Sequence, residues 1–263
     1  MISDAPRSPP LAGLGIVITR PAEQAQALAG LIREQGGRAI VFPTLEIVEP
    51  QNPAQLGHLI DRLDEFDFAI FVSPVAVNKA LEAIAARRTL PPRLKLAAVG
   101  PGSARALSRH GATDVIVPPE RFDSEALLAL PELNTVAGLR IAIFRGEEGR
   151  GLLGDTLRAR GAYVEYALCY RRMRPQTNIR PLLDLWARNE VHAFVVTSGE
   201  GLRNLYAMLD KTAQRRLVDT PVFVPHPRVA AVARELDLRA VIETGSGDEH
   251  LVAGLARHFQ SGA

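Results

Sequence analysis

Six short segments carry the residue types best suited to chemistry, and each sits between an apolar, strand-like run and a helix-like run. They are Thr19-Arg20-Pro21, Ser73-Pro74, Gly100-Pro101-Gly102-Ser103, Arg145-Gly146, Thr197-Ser198-Gly199 and His226-Pro227-Arg228. A loop that opens a helix offers backbone N–H groups with no intrahelical partner, often beside a hydroxyl, and so favours anions, carboxylates included. In parallel α/β sheets ligands collect beyond the carboxyl ends of the strands, which is where these segments fall. A guanidinium fork at Arg20 or Arg145 suits bidentate capture of a carboxylate. The competing reading is that Ser73, Ser103 and Thr197 only cap helices. Recurrence at one topological position favours a ligand. The candidate binding residues are therefore Thr19, Arg20, Ser73, Gly102, Ser103, Arg145, Thr197, Ser198, His226 and Arg228.

Other chemistry finds less support. Gly149-Arg150-Gly151-Leu152-Leu153-Gly154 satisfies G-x-G-x-x-G. In a dinucleotide fold, however, the first glycine follows its strand directly and an acidic residue ends the next strand. Here Arg145-Gly146-Glu147-Glu148 intervenes, and Leu168-Cys169-Tyr170 stands at the second place. Gly100-Pro101-Gly102 follows its strand, but Arg105 replaces the third glycine. The single cysteine, Cys169, has no neighbouring His or second thiol and reads as a small buried hydrophobe. His58, His110, His192, His226, His250 and His258 make no metal-ligand spacing. Ser198 lacks the glycines of a nucleophile elbow. Asp123-Ser124-Glu125 and Asp248-Glu249 read as caps and first-turn acids.

The elements that must position these loops alternate between strand and helix. Strand-like runs at Ile16–Thr19, Arg38–Phe42, Phe68–Val72, Leu96–Val99 and Asp114–Val117 are interleaved with helical stretches at Ala22–Gln35, Val75–Ala86 and Ser103–Arg109. The second half repeats the alternation from Arg140–Phe144 to Ala240–Ile242. This predicts an α/β fold of parallel sheets flanked by helices. The halves also match residue by residue at a spacing of 125: Gly13-Leu14-Gly15-Ile16 against Gly138-Leu139-Arg140-Ile141, and Ile70-Phe71-Val72-Ser73 against Val195-Val196-Thr197-Ser198. One unit has been duplicated, which predicts two similar lobes with a ligand cleft between them. Two extended segments ending on proline, Pro43–Pro50 and Leu168–Pro175, break the rhythm. They are read as paired strands crossing between the lobes, with Glu46 facing Arg171 and Glu49 facing Arg174.

Bulk composition narrows the class. A length of 263 residues suits two domains, and 47% hydrophobic with 23% charged residues is ordinary globular composition. Lys and Arg number 31 against 29 Asp and Glu, and aromatics are 5%, which argues against a nucleic-acid partner. No apolar run approaches the length of a membrane span. Met1–Pro10 is polar and proline-rich, without the apolar core of a signal peptide, so a cytoplasmic location is expected.

In their order along the chain, Ile16-Val17-Ile18-Thr19-Arg20-Pro21, Phe71-Val72-Ser73-Pro74, Val99-Gly100-Pro101-Gly102-Ser103-Ala104, Ser124-Glu125-Ala126-Leu127 and Val195-Val196-Thr197-Ser198 resemble the uroporphyrinogen-III synthase family. Tyr170 falls where that family has its tyrosine, and the likeness runs from Leu14 to about Phe259. Gly199-Glu200 departs from the Pro-Ser that many relatives carry, which argues against a hydroxyl contact at position 200. The resemblance implies two lobes discontinuous in sequence and joined by a two-stranded connection. The first lobe would take residues 1–43 plus 175–263, the second 50–166, with 44–49 and 167–174 as the connecting strands. It implies a monomeric, cofactor-free cyclising lyase of porphyrin biosynthesis. Such an enzyme closes the linear tetrapyrrole hydroxymethylbilane to uroporphyrinogen III, inverting the terminal ring through a spiro intermediate. For that reaction Tyr170 is the candidate general acid, a phenol being protonated at neutral pH, and the competing reading is a packed linker aromatic. The alternative is a non-catalytic two-lobed protein that binds or senses a small anion.

Overall fold

The computed structural model describes residues 9–260. The first eight residues of the polar N-terminal stretch lie outside the described residues. The strands are β1 Gly15–Ile18, β2 Arg38–Val41, β3 Glu46–Val48, β4 Phe68–Phe71, β5 Lys95–Ala98 and β6 Val115–Ile116 in the first half of the chain. They continue with β7 Arg140–Gly146, β8 Tyr163–Met173, β9 Ala193–Val195, β10 Val222–Val224 and β11 Val241–Glu243. The helices are α1 Ala22–Glu34, α2 Pro53–Asp61, α3 Pro74–Ala85, α4 Pro101–Arg109, α5 Ser124–Leu128 and α6 Pro131–Asn134. After β7 come α7 Leu152–Ala159, α8 Arg180–Ala187, α9 Gly199–Met208, α10 Lys211–Asp219, α11 Pro227–Glu235 and α12 Asp248–Gln260.

The chain divides into two compact units. One comprises the chain up to Glu46 together with that from Met173 onward, and the other comprises Ile47–Arg172. The first holds a five-stranded sheet in the order β11-β10-β9-β1-β2, paired in parallel throughout. The second holds β3-β8-β7-β4-β5-β6, with parallel pairing from β8 to β6. Helices cover both faces of each sheet, so the central strands are apolar without interruption: β1, β4, β9 and β10 are buried along their whole length. Each sheet accordingly carries one core on either face.

The repeat explains the discontinuity. Substituting β7 and β8 for β1 and β2, and β4, β5 and β6 for β9, β10 and β11, turns the first strand order into the second, apart from the added β3. Each unit therefore combines two strands of one repeat with three of the other.

Helix punctuation follows the local sequence. Proline fills the first turn of α2, α3, α4, α8 and α11, where its missing N–H costs nothing. Gly36, Gly111 and Gly161 end helices in the left-handed region, with φ of +82°, +91° and +85°.

Two sequence expectations need correction. The second crossing segment is no separate strand. It continues β8, which runs unbroken for 11 residues, and β3 is its neighbour. The facing charges also pair differently. Arg171 Nε donates to the Glu49 backbone carbonyl at 3.2 Å, while the Glu49 carboxylate lies 3.9 Å from Lys79 Nζ because α3 carries that lysine alongside.

Candidate active site

Within the second unit the decisive local feature is a bulge in β8. Arg145 of β7 pairs with Leu168, but the next residue, Gly146, pairs with Tyr170, so Cys169 is an extra residue in the ladder. Regular alternation along β8 sends Ala167 and Cys169 to one core, while Val164 and Tyr166 pack on the other. Without the bulge, Tyr170 would follow Tyr166. With it, Tyr170 joins Ala167 and Cys169, its ring sealed at 3% exposure in the core that holds Phe71 and Phe144.

From there the tyrosine reaches across its neighbour. In the order β8-β7-β4 the ring passes over Gly146, the last residue of β7, to the tip of β4. A Cβ on Gly146 would stand 2.9 Å from two ring carbons and 3.3 Å from the hydroxyl oxygen, so only glycine permits the crossing. Beyond Gly146, Tyr170 Oη lies 3.3 Å from Ser73 Oγ. Ser73 is the N-cap of α3 and accepts the Ala76 N–H at 3.1 Å. The Arg172 guanidinium stands 6.0 Å from the Tyr170 ring centre.

The first unit presents its own row of strand tips. The β1 tip gives Thr19 and Arg20, the adjoining β9 tip gives Thr197 and Ser198, and the β10 tip gives His226 and Arg228. Arg20 Nε donates to Thr197 Oγ1 at 3.3 Å and its terminal nitrogen to Asp248 Oδ1 at 2.6 Å. Ser198 Oγ caps α9 through Gly201 N–H at 3.0 Å, and His226 Nδ1 caps α11 through Arg228 N–H at 3.1 Å. Arg228 itself is exposed.

In the second unit, a phenol hydroxyl 3.3 Å from the serine that caps α3 is a group able to give up a proton beside a helix start. The family described as "Uroporphyrinogen-III synthase HemD" matches residues 26–253. The chain belongs to the uroporphyrinogen-III synthase family. The uroporphyrinogen-III synthase of Escherichia coli (strain K12) is 35% identical over 225 residues, 85% of this chain and 92% of that protein. That of Salmonella typhimurium is 36% identical with the same coverage. Among solved structures, a mutant uroporphyrinogen III synthase from Thermus thermophilus shares the fold with a TM-score of 0.65 at 20% identity, over 94% of this chain and 99% of that one. The enzyme from Helicobacter pylori 26695 does so at 0.59 and 13% identity, over 91% and 97%.

Within this synthase-family fold several sequence candidates have internal roles. Thr19 is buried, and its hydroxyl donates to the Val195 carbonyl at 3.0 Å. Arg145 is not a free carboxylate grip: it is 8% exposed, donates to the carbonyls of Gly146 and Arg150 at 3.0 and 3.1 Å, and stacks 5.0 Å from the Tyr166 ring. It scaffolds the loop after β7. That loop also accounts for the glycine decoy: Gly149, at φ +139°, lies under the Arg145 guanidinium, and Gly154 lets the Tyr166 hydroxyl approach its backbone. Ser103 is buried in the first turn of α4, beside the half-buried Gly102. Asp248, read from sequence as a first-turn acid, is also the partner of Arg20 across 228 residues. Only the position of α12 over the β1 tip reveals that pairing.

Cys169 is the buried hydrophobe expected. Burial pushes its thiol up to about 12, against the opposing effect of a backbone hydrogen bond from Arg145. The native protein should therefore resist an aromatic disulfide reagent at pH 8 and react with one equivalent only after denaturation. Rapid stoichiometric labelling of the folded chain would contradict this burial. Among the described residues no helix is long and apolar enough to cross a membrane, and no three His, Cys, Asp or Glu side chains group as a metal site.

Proposed function

We propose that this chain closes hydroxymethylbilane to uroporphyrinogen III with inversion of the terminal ring, and that Tyr170 is the acid that starts the reaction. Membership of the synthase family supports the overall reaction. The observation that carries the residue assignment is the Tyr170 hydroxyl beside Ser73, on a ring held rigid by the core. Tyr170 gives its proton to the substrate's terminal hydroxyl, which leaves as water with the C–O electron pair. The electron-poor methylene left behind is attacked by a ring carbon to form the spiro intermediate. Rearrangement and loss of one ring proton then complete the macrocycle, and that proton balances the one Tyr170 supplied.

The eight carboxylates of the substrate call for cationic and N–H-rich surfaces. Arg20 and Arg228, with the helix starts at Ser73, Gly102, Ser103, Thr197, Ser198 and His226, are the groups assigned to them. Arg20 already has an anionic partner in Asp248, which sets the direction of two effects. Arg20→Ala should raise KM about tenfold or more, the scale of a lost charge-assisted hydrogen bond. Asp248→Asn frees the guanidinium and should leave KM at or below the wild-type value. Arg33→Ala, on the exposed face of α1, is the control. A higher KM in Asp248→Asn would remove Arg20 from the binding set.

The reading includes action as a cytoplasmic monomer, with the linear tetrapyrrole as its small-molecule partner and no nucleic-acid or membrane partner. Light scattering at working concentration checks the monomer. The reaction is checked by supplying enzymatically generated hydroxymethylbilane and separating the products. Predominantly type III product is expected. Type I product at the rate seen without protein would favour a binding protein instead.

A further inference from the structure

We infer that Ser73 is a positioning residue for the reaction: it directs the Tyr170 hydroxyl and steadies the phenolate formed when that hydroxyl gives up its proton. The inference rests on Tyr170 being the acid. Its geometric basis is a short chain of contacts in the second unit. The Ala76 N–H can only donate, so at 3.1 Å the Ser73 oxygen is the acceptor. Ser73's own proton is then free for the oxygen 3.3 Å away, that of Tyr170. With the serine donating, the phenol proton points away from Ser73 and is available to a leaving hydroxyl. The opposite polarity would turn that proton towards the helix cap.

The same arrangement strengthens as the reaction proceeds. Once the proton has moved from Tyr170 Oη to the departing oxygen, the Ser73 O–H bond ends on an anion and becomes charge-assisted. The positive end of α3, a 12-residue helix opened by Pro74, lies behind the same serine oxygen and favours the new charge. When the macrocycle loses its ring proton, Tyr170 takes a proton back and the starting state returns. Read from sequence, Ser73 is either a cap or a ligand group. In the structure its oxygen caps the helix while its hydroxyl also faces the acid, so the helix start and the tyrosine are coupled through one atom.

The test is a double-mutant cycle read as single-turnover rate and KM, with Ser73→Ala, Ser73→Thr, Ser73→Asp, Tyr170→Phe and the Ser73→Ala/Tyr170→Phe pair. Ser73→Ala should slow turnover about tenfold to a hundredfold, the scale of one charge-assisted hydrogen bond lost from the transition state, and this loss should exceed any rise in KM from the altered helix start. Ser73→Thr should retain most of the rate. Ser73→Asp keeps a strong helix cap but cannot donate to a phenolate, so it should melt like wild type and still be slow. In the Tyr170→Phe background Ser73→Ala should cost nothing further. Full activity in Ser73→Asp, or the same fold loss from Ser73→Ala with and without the tyrosine hydroxyl, would overturn the inference. Unchanged turnover in Tyr170→Phe would instead remove the acid assignment itself, and the inference with it.

Discussion

Tyr170→Phe is expected to lower turnover by roughly 10²–10⁴-fold, the range a positioned general acid contributes. The fold should be undisturbed. The ring makes the packing contacts, with Phe71, Phe144 and Cys169 in the same core, and phenylalanine keeps that ring. Only the hydroxyl is lost, and its partner Ser73 is half-buried at the start of α3, where water can replace it. Stability should therefore change by no more than about 1 kcal/mol, the net worth of a neutral hydrogen bond. Single-turnover assays with hydroxymethylbilane, with circular dichroism as the check on folding, measure both halves. Turnover within twofold of wild type in a folded variant would exclude the acid role.

Gly146→Ala should produce a comparable loss without touching any group that reacts. The added carbon would stand 2.9 Å from Cε2 and Cζ of Tyr170, closer than such atoms approach, so the ring must shift. The packed core beneath it leaves no equivalent place, and the hydroxyl moves off Ser73. A displacement of about 1 Å at a reacting group can cost 10²-fold in rate. Overpacking of this kind also destabilises by about 1–3 kcal/mol. The signature is a loss in kcat larger than that in KM, together with a lower melting temperature. Wild-type kcat in Gly146→Ala would show that the ring does not need to cross that backbone.

How far the sequence reveals this arrangement depends on the range of the interaction. Strand positions were legible because parallel sheets covered on both faces demand unbroken apolar runs, as at Phe68–Phe71 and Val222–Val224. The duplication was legible through the matches at Gly13 and Gly138, whereas the exchange of segments between the two units was implied only by the family resemblance, because a repeat does not by itself say which copies share a sheet. Helices α2, α8 and α10 were not anticipated. Two open on proline after a polar stretch, and Lys211–Asp219 has few apolar residues to mark a buried face. At the site, Ser73, Thr197, Ser198 and His226 stand out because each begins a helix after a strand. Arg145 misleads because its type suits a carboxylate. Only the folded loop shows its guanidinium donating to the Gly146 and Arg150 carbonyls. The bulge at Cys169 left no mark in residue type, since one extra residue changes which face Tyr170 takes without changing composition.

The most direct test of a tyrosine acid is to vary its acidity alone. Replacing Tyr170 with fluorinated tyrosines keeps the ring, the hydroxyl and the approach over Gly146, while each fluorine makes a phenol give up its proton at lower pH. An acid works only while protonated, so the alkaline limb of the kcat profile should move to lower pH in step with the fluorination. An alkaline limb that stays in place across the series, in variants that still form type III product, would contradict the account.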